Sequence, residues 1–412
     1  MRRLLPRCGL AIALLSGCQR DGAPAATAVG AASMIETPAP SGTTTPSLTY
    51  DRDGALLLSW TERAADSSLA VRVAAYRDEH WDSTRTIAAQ RPFFANWADF
   101  PAVVTLPNGD WGAHWLERDG TGKYAYGIRF VRSTDAGRHW SDPIAPHTDG
   151  LAAEHGFVAL WAEGADGVGL AWLDGRKSAM PDSAREMTVR TAVIAPDGTR
   201  RDEALLDARS CDCCQVASTA TTNGRVVVYR DRTTEEIRDI VAVRRTATGW
   251  TAPTPVHQDG WHYPGCPVNG PAITARGDTV VVAWYTAAHD TARVLVARSV
   301  DGGATFAPPV RVDGGDPLGR VALALDAAGD PIVVWMERTT PETSAILVRR
   351  ITGTAQSVPV RVGTTSAARQ SGFPRVAVWQ DTLAVAWTDV AARSTAPEVR
   401  LARIPLLSSP RP

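Results

Sequence analysis

The chain has 412 residues, a hydrophobic content of 44% and a formal net charge of −1 at pH 7. This composition excludes general disorder, and the near-neutral charge excludes nucleic acid as a bulk electrostatic partner. Lysine is scarce, so nearly all basic residues are arginines. Charge is therefore expected to act through local clusters of side chains.

The N-terminal residues have the pattern of an export signal. Three arginines precede the short apolar run Leu10 to Leu15, which is too short to span a bilayer, since about 20 apolar residues are needed. The run ends in Leu15-Ser16-Gly17-Cys18, which resembles the lipobox of bacterial lipoproteins. That resemblance implies cleavage before Cys18 and attachment of lipid to its sulfur. An ordinary secretory signal with a chance cysteine is the alternative.

These features predict three segments. Residues 1–17 form the signal peptide, residues 18–46 carry the lipidated cysteine and a flexible linker, and residues 47–407 form the folded domain. The linker is rich in Ala, Gly, Pro, Thr and Ser and lacks the apolar side chains that would order it. We expect the protein to be anchored by lipid to a membrane of the bacterial cell envelope, on its periplasmic or surface side.

A repeat in the folded domain predicts its architecture. Short β-rich runs that end in a large aromatic residue recur about every 50 residues. The aromatic residues are Trp60, Trp115, Trp172, Tyr229, Trp284, Trp335 and Trp387. Each run follows an apolar strand and a turn and precedes an alternating strand, as in an all-β array of four-stranded antiparallel blades. Seven copies favour a seven-bladed β-propeller, with six blades and an extra hairpin as the alternative.

The last copy contains only three strands before the chain ends. We expect the segment just before Leu48 to supply the missing outer strand, because closure of the ring protects the sheet edges.

Two further motifs carry a family resemblance. The stretches 133–140 (Ser-Thr-Asp-Ala-Gly-Arg-His-Trp) and 299–306 (Ser-Val-Asp-Gly-Gly-Ala-Thr-Phe) resemble the Asp box, Ser-x-Asp-x-Gly-x-Thr-Trp. His139 and Phe306 depart from that pattern. The chain therefore resembles sialidase-like (BNR-repeat) propellers. The box itself is a structural turn, so this resemblance supports a fold and leaves the function open.

The predicted loops differ between the two ends of the propeller. One end carries short turns and the two Asp boxes. The other end carries the connections between blades and the middle loops of blades, which are rich in Arg, Asp, Glu, His, Cys and Trp. We call this second end the loop end; it includes residues 96–100, 154–157, 211–215 and 371–375. Because function tends to lie on loops held by a rigid scaffold, the loop end is the predicted site.

The resemblance to sialidases implies a set of glycosidic roles. Sialidases use an arginine cluster for the substrate carboxylate, an acid/base Asp and a Tyr–Glu nucleophile pair. Predicted substrate-binding residues are Arg176, Arg230, Arg232, Arg320, Arg375, Trp97 and His155. Predicted catalytic residues are Asp99 or Asp174 as the acid, and Tyr229 with Glu236 or Glu154 as the nucleophile pair. The alternatives are core packing for Tyr229 and plain salt-bridge networks for the Arg-Asp runs.

Four cysteines of the folded domain form the second candidate centre. They are Cys211, Cys213, Cys214 and Cys266. Outside the cytoplasm, two disulfides are the default, and one pattern joins Cys266 to a member of the triplet. The alternative is a Cu or Zn site at the cysteine cluster. The motif Cys-Asp-Cys-Cys-Gln also resembles that of a group of bacterial envelope proteins labelled sialidase-like or exo-α-sialidase.

The functional hypothesis from the sequence is a monomeric propeller whose partner is an acidic glycan or other small acidic ligand. It recognises sialic-acid-like glycans and, if it is an enzyme, hydrolyses them as an exo-α-sialidase-like glycoside hydrolase, without a cofactor. The alternative is a non-enzymatic binding or assembly propeller with a disulfide-stapled or metal-binding cysteine cluster.

Overall fold

A computed structural model describes residues 29–180, 186–390 and 396–406. The predicted signal peptide and Cys18 lie outside these residues. Within them, the strands form seven antiparallel sheets, which confirms the seven-bladed β-propeller. No helix in the described ranges is long and apolar enough to cross a membrane.

The strands are numbered in chain order, and β1 (Ser33–Ile35) belongs to the last blade. Blade 1 contains β2 Thr43–Tyr50, β3 Leu56–Arg63, β4 Leu69–Arg77, β5 His80–Trp81 and β6 Arg85–Ala89. Blade 2 contains β7 Ala102–Thr105, β8 Trp111–Arg118 and β9 Tyr126–Ser133. Blade 3 contains β10 His155–Glu163, β11 Gly167–Asp174, β12 Met187–Ile194 and β13 Arg200–Ser210.

The remaining blades follow the same plan. Blade 4 contains β14 Ala217–Thr221, β15 Gly224–Arg230, β16 Ile240–Thr246, β17 Gly249–Trp250 and β18 Thr254–Pro255. Blade 5 contains β19 Ala272–Arg276, β20 Thr279–Thr286, β21 Arg293–Ser299 and β22 Val310–Arg311. Blade 6 contains β23 Pro317–Leu325, β24 Pro331–Arg338, β25 Thr343–Thr352, β26 Ala355–Gln356 and β27 Val360–Ser366. Blade 7 contains β28 Arg375–Trp379, β29 Thr382–Asp389 and β30 Glu398–Pro405. In the described ranges, three short 3₁₀ segments interrupt the loops, at Arg176–Ala179, Ala288–Asp290 and Arg369–Ser371.

The first strand of each blade lines a central channel, and neighbouring first strands contact each other around the ring. In blade 2 the outermost strand is reduced to a single bridge between Phe130 and Ile144. Their backbones exchange hydrogen bonds of 2.8 and 2.9 Å, which keeps the edge of that blade paired.

The N-terminal part of the chain closes the ring, as expected, but the closing strand lies at Ser33–Ile35 and not directly before Leu48, where the residues belong to β2 of blade 1. Strand β1 pairs antiparallel with β30, with Ser33 opposite Arg403, and so becomes the outer strand of blade 7. The predicted linker boundary at residue 46 is wrong for this reason. Strand β1 and the start of β2 lie inside that segment and belong to the propeller. Backbone pairing with β30 of blade 7 orders β1, and pairing with β3 of blade 1 orders the start of β2, despite their low apolar content.

The seven repeat aromatics form the cores between blades. Trp60, Trp115, Trp172, Tyr229, Trp284, Trp335 and Trp387 are all at most 3% exposed. They occupy the same place in the second strand of each blade, where both faces of the sheet are covered by neighbouring blades. Burial of a large aromatic stabilises each interface by a few kcal/mol, about 25 cal/mol per Å² of apolar surface.

Both Asp-box stretches form tight turns at the end opposite the loop end. In the first, Asp135 accepts a hydrogen bond of 2.9 Å from the backbone N–H of His139, and Ser133 accepts one of 2.8 Å from Gly137. In the second, Asp301 accepts one of 2.9 Å from the N–H of Thr305. The motifs therefore stabilise the scaffold.

Candidate functional site at the loop end

A cavity of about 290 Å³ occupies the half of the central channel nearest the loop end. It is lined by residues within all seven inner strands and by loop residues that precede four of these strands, β7, β14, β19 and β28. Most of its lining is apolar or neutral, and the charged side chains that line it are Asp99 and Arg375. Polar and apolar atoms share its surface about equally, and a concave site with a few placed polar groups is the usual form of a small-ligand site.

Arg375 is the predicted arginine that remains available for a ligand. Among the described residues, its guanidinium makes no hydrogen bond or ion pair with a protein group. Within the described part of the chain, its ring contact is with Phe100, whose centroid lies 4.7 Å from the guanidinium carbon. Burial lowers the pKa of Arg375 to about 10, so the side chain stays protonated at neutral pH. A partly buried cation without a partner favours an anion beside it.

His114 lies close to this arginine and is fully buried. Burial, with the positive charge of Arg375, lowers the pKa of His114 to about 3. The ring is therefore neutral at physiological pH and leaves Arg375 as the cation of this part of the channel.

Aromatic rings and an amide cover the cavity at the loop end. Trp97 stacks on Phe373 at a centroid distance of 5.9 Å, and Phe100 packs against Phe373 at 6.1 Å. The Gln215 side chain donates a hydrogen bond of 2.6 Å to the carbonyl of Ala98 and accepts one of 3.0 Å from the N–H of Gly270. Gln215 therefore ties together loops from three blades. Trp97, predicted to bind substrate, belongs to this cover.

Asp99 lies on the cavity wall and is 3% exposed. Its Oδ2 accepts a hydrogen bond of 2.7 Å from the backbone N–H of Phe157. Burial nevertheless raises the pKa of Asp99 to about 8, so the carboxyl is largely protonated at neutral pH. Phe157 has a left-handed φ of 54°, and a side chain at Gly156 would collide with Asp99. The backbone is thus strained where it holds this acid.

A Tyr–Glu pair does form at the loop end, but its tyrosine is Tyr126. The hydroxyl of Tyr126 donates a hydrogen bond of 2.6 Å to Oε1 of Glu154. Burial raises the pKa of Glu154 to about 7, although the hydrogen bond from Tyr126 acts in the opposite direction. Tyr126 is 1% exposed and stacks on Phe94 at 3.8 Å. Asp99 adds to the rise in the pKa of Tyr126, after burial, so Asp99, Tyr126 and Glu154 form one group.

The predicted pairing of Tyr229 with Glu236 or Glu154 is wrong. Tyr229 is fully buried in the core between blades and donates a hydrogen bond of 2.6 Å to Asp207. Glu236 instead accepts hydrogen bonds from two arginines at the rim, Arg232 at 2.9 Å and Arg238 at 2.6 Å. Tyr229 takes the place that Trp occupies in the other blades, and that place faces the blade interface.

The predicted arginine cluster does not form, because four of its five members have partners of their own. Arg176 pairs with Asp174 at 2.7 Å and with Asp149 at 3.1 Å. Arg232 pairs with Glu236 and also with Asp212, at 3.2 Å. Both guanidiniums are therefore neutralised within the protein.

The other two arginines are buried under aromatic rings. Arg230, 1% exposed, donates to the backbone carbonyls of Asn269 and Tyr285 and lies 4.8 Å from the ring centroid of Trp261. Arg320 donates to two carbonyls of the 368–372 loop, at 3.1 and 3.2 Å, and lies 5.1 Å from the Trp97 centroid. Both arginines hold loops in place.

Asp174 has a structural position that the repeat itself reveals. Its Oδ2 accepts a hydrogen bond of 2.9 Å from the indole N–H of Trp172, two residues earlier. The same spacing recurs at Trp115 with Glu117, at 2.8 Å, and at Trp335 with Glu337, at 3.0 Å. An acid two residues after the repeat tryptophan is thus part of the blade. Asp174 is also fully buried, which argues against its predicted role as the acid.

His155 belongs to the same buried network as Asp174. Its Nε2 lies 2.9 Å from Asp149 and 3.7 Å from Asp174. Its ring stacks on that of His147 at 3.9 Å with an angle of 3° between them. His147, Asp149 and His155 have the composition of a metal site. Parallel rings do not fit one ion, however, because a metal lies close to the plane of each imidazole that binds it.

The cysteines confirm one sequence prediction. Cys213 forms a disulfide with Cys266, so Cys266 does pair with a member of the triplet. Cys211 and Cys214 are free thiols in the structure, with their sulfurs 2.9 Å apart. Two disulfides were expected, and the described residues contain one. A metal at this cluster would have two thiolates, since the disulfide removes those of Cys213 and Cys266.

Comparisons with known proteins identify the fold. No protein-family model and no curated protein sequence matches the chain. Its structure is similar to that of a protein of unknown function from Dyadobacter fermentans DSM 18053, with a TM-score of 0.52, 15% identity and coverage of 92% of this chain and 98% of the other.

Two further solved structures are similar. The polysaccharide lyase Uly1 has a TM-score of 0.55 at 10% identity, covering 88% of this chain and 90% of its own. The phage phi92 endosialidase has a TM-score of 0.52 at 9% identity, covering 93% of this chain and 70% of its own. At such identities the likeness shows the fold alone. The class of the protein is therefore a seven-bladed β-propeller.

The raised pKa of Glu154 gives a testable pH dependence. A carboxyl whose pKa is raised on folding, here from 4.5 to about 7, stabilises the fold fully below pH 4.5 and loses that contribution as the pH rises through 7. We expect wild type to lose up to about 3 kcal/mol of unfolding free energy relative to Glu154→Gln between pH 4.5 and 8.

Urea unfolding of both proteins across this pH range measures the difference. The exposed Glu342→Gln variant is the control and should follow wild type at every pH. A gap between wild type and Glu154→Gln that stays constant with pH would contradict the protonation of Glu154 in the folded protein.

Proposed function

We propose that this propeller binds a carboxylate-bearing glycan at the loop end, with the carboxylate paired to Arg375. The observation that carries the proposal is the unpaired guanidinium of Arg375 on the wall of a cavity of about 290 Å³. A guanidinium binds a carboxylate through two parallel hydrogen bonds. This interaction becomes stronger as water is excluded from the site. Of the five predicted arginines, this one needs a partner from outside the protein.

The rest of the cavity supports a sugar as the group that carries the carboxylate. Phe100, Phe157 and Phe373 line it together with the amide of Gln215. Its volume is near the lower limit of ligand sites, about 300 Å³, which suits one sugar unit. Two of the similar propellers have names that include polysaccharide lyase and endosialidase, which agrees with a glycan ligand.

Binding to an array of glycans tests the proposal. The array contains sialylated and uronic-acid glycans, each beside the same glycan with its carboxyl group reduced to an alcohol. We expect binding to carboxylate forms only, and the pattern among them distinguishes sialic acids from uronic acids. Equal binding of the reduced forms, or no binding to any acidic glycan, would overturn the proposal.

Hydrolysis of the bound glycan is the second candidate function, and the contact of 2.6 Å between Tyr126 and Glu154 favours it. Glycoside hydrolysis needs a carboxylic acid that is still protonated near neutral pH, and the pKa of Glu154, about 7, meets that need. Fluorogenic sialosides and uronides measure turnover. We expect Glu154→Gln to remove it while binding persists; binding by wild type without any turnover would establish a binding propeller instead.

A further inference from the structure

The cysteine cluster contains two sulfur pairs at different depths. Cys211 and Cys214 are at most 1% exposed, whereas Cys213 is half-buried and Cys266 is exposed. The buried sulfurs lie 2.9 Å apart, and the sulfur of Cys211 lies 4.0 Å from that of Cys213. A buried dithiol thus contacts a disulfide that reaches the surface.

The protein surroundings activate the buried pair. The guanidinium of Arg230 is buried nearby and hydrogen-bonds to backbone carbonyls, without an ion pair to a carboxylate among the described residues. Burial opposes ionisation of Cys214, but the hydrogen bond with Cys211 and the charge of Arg230 lower its pKa to about 7. Burial raises the pKa of Cys211, which keeps the proton. Cys214 therefore serves as a base for its neighbour, and thiolates are the reactive form of cysteine.

We propose that the four cysteines form a thiol–disulfide relay, in which one disulfide exchanges between the surface pair Cys213–Cys266 and the buried pair Cys211–Cys214. This relay does not depend on the glycan site. Its partner is an external disulfide or dithiol, which reacts at the exposed Cys266 because the buried sulfurs are out of reach.

The exchange inside the protein balances in two steps. First, Cys211 gives its proton to the thiolate of Cys214, and the sulfur of Cys211 bonds to that of Cys213. The Cys213–Cys266 bond breaks at the same time. Cys266 leaves as a thiolate and takes a proton from water. Second, Cys214 bonds to Cys211, the Cys211–Cys213 bond breaks, and Cys213 takes the proton from Cys214. The number of disulfides is unchanged.

The external step then changes the oxidation state. Cys266 returns its proton to water, and its thiolate attacks an external disulfide and releases one external thiol. Cys213 displaces the second external thiol and closes the Cys213–Cys266 bridge again. The protein is oxidised by two electrons and now holds two bridges, and an external dithiol reverses the sequence. The relay thereby connects a buried dithiol with reagents at the surface.

The experiment places the full chain in mixtures of reduced and oxidised glutathione, quenches with acid, alkylates free thiols and maps the cysteine peptides by mass spectrometry. In molecules with one bridge, we expect both the Cys213–Cys266 and the Cys211–Cys214 forms. Cys214→Ser lacks the thiol that opens the Cys211–Cys213 bridge, so it should accumulate that bridge, with Cys266 alkylated, once a buffer base has removed the proton of Cys211. Cys211→Ser is the matched control and should keep only the Cys213–Cys266 bridge.

Two results would overturn the relay. One is a wild-type protein whose single bridge is always Cys213–Cys266 across the glutathione range. The other is stoichiometric zinc or copper that protects Cys211 and Cys214 from alkylation. The cysteine mapping of the wild-type protein shows by itself whether one bridge form or both forms are present and whether Cys211 and Cys214 are protected. The test therefore does not require that the variants fold.

Discussion

Replacing Arg375 with methionine is expected to lower the affinity for carboxylate-bearing glycans on the order of 100-fold or more, because hydrogen bonds to charged groups contribute about 1.5–3 kcal/mol each. Methionine keeps much of the aliphatic length, so the shape of the cavity is retained. The same change should leave the propeller as stable as before or stabilise it by about 1 kcal/mol, since it removes a partly buried charge that has no partner. Titration calorimetry and urea unfolding measure the two effects.

The opposite direction of these effects makes the prediction specific. A residue needed only for folding would lose binding and stability together. Arg361→Met is the matched control, because Arg361 is exposed on the outermost strand of blade 6. It should bind as wild type does. Undiminished binding of acidic glycans by Arg375→Met would contradict the proposed site.

Replacing Arg176 with methionine should destabilise the propeller by about 3–5 kcal/mol, because two buried carboxylates lose the cation between them. Asp174 is fully buried and the Asp149 side chain is 5% exposed. Burial acts to raise the pKa of Asp174, but Arg176 and His155 outweigh it and hold that pKa below its usual range. Urea unfolding at neutral pH measures the loss.

The effect of Arg176→Met should shrink in acid. Carboxyls with lowered pKa stabilise the fold above pH ~4 and lose that contribution as protonation proceeds below it. The control is Arg338→Met, which breaks an ion pair with Asp316 whose side chains are 37% and 63% exposed, and should change stability by less than about 1 kcal/mol. Equal losses in the two variants would refute the structural role of Arg176.

The fold was predictable from the sequence because each blade repeats the same local demand. The second strand of each blade ends in Trp or Tyr and must be buried on both faces. In every repeat, the two neighbouring blades bury it. The three-stranded last repeat likewise predicted closure by the N-terminal segment. The boundary at residue 46 failed because β1 is ordered by pairing with β30, and its own composition gives no sign of that.

The sequence was enough to predict which end of the propeller carries the candidate site, but not which side chains contact each other there. Arg320 comes directly after Gly319 and Arg375 comes three positions after Gly372, both at the loop end, yet Arg375 is unpaired among the described residues and Arg320 donates to two loop carbonyls. That difference depends on which backbone carbonyls lie near each guanidinium. The spacing of residues along the sequence does not reveal this. Tyr126 was missed for the same reason, since its partner Glu154 lies 28 residues away.

Two sequence signals were present and informative. The acid two residues after the repeat tryptophan identifies Asp174 as part of the blade, together with Glu117 and Glu337. The pairing of Cys266 with the triplet was predicted as well, because adjacent cysteines seldom bridge each other. Which member it joins depends on the loop geometry.

The most direct test of the central claim is the structure of the protein with the acidic glycan that binds most tightly. We predict that the sugar carboxylate occupies the channel cavity and accepts two hydrogen bonds of about 2.8 Å from the guanidinium of Arg375. A glycan bound elsewhere, with Arg375 left without an anion, would contradict it.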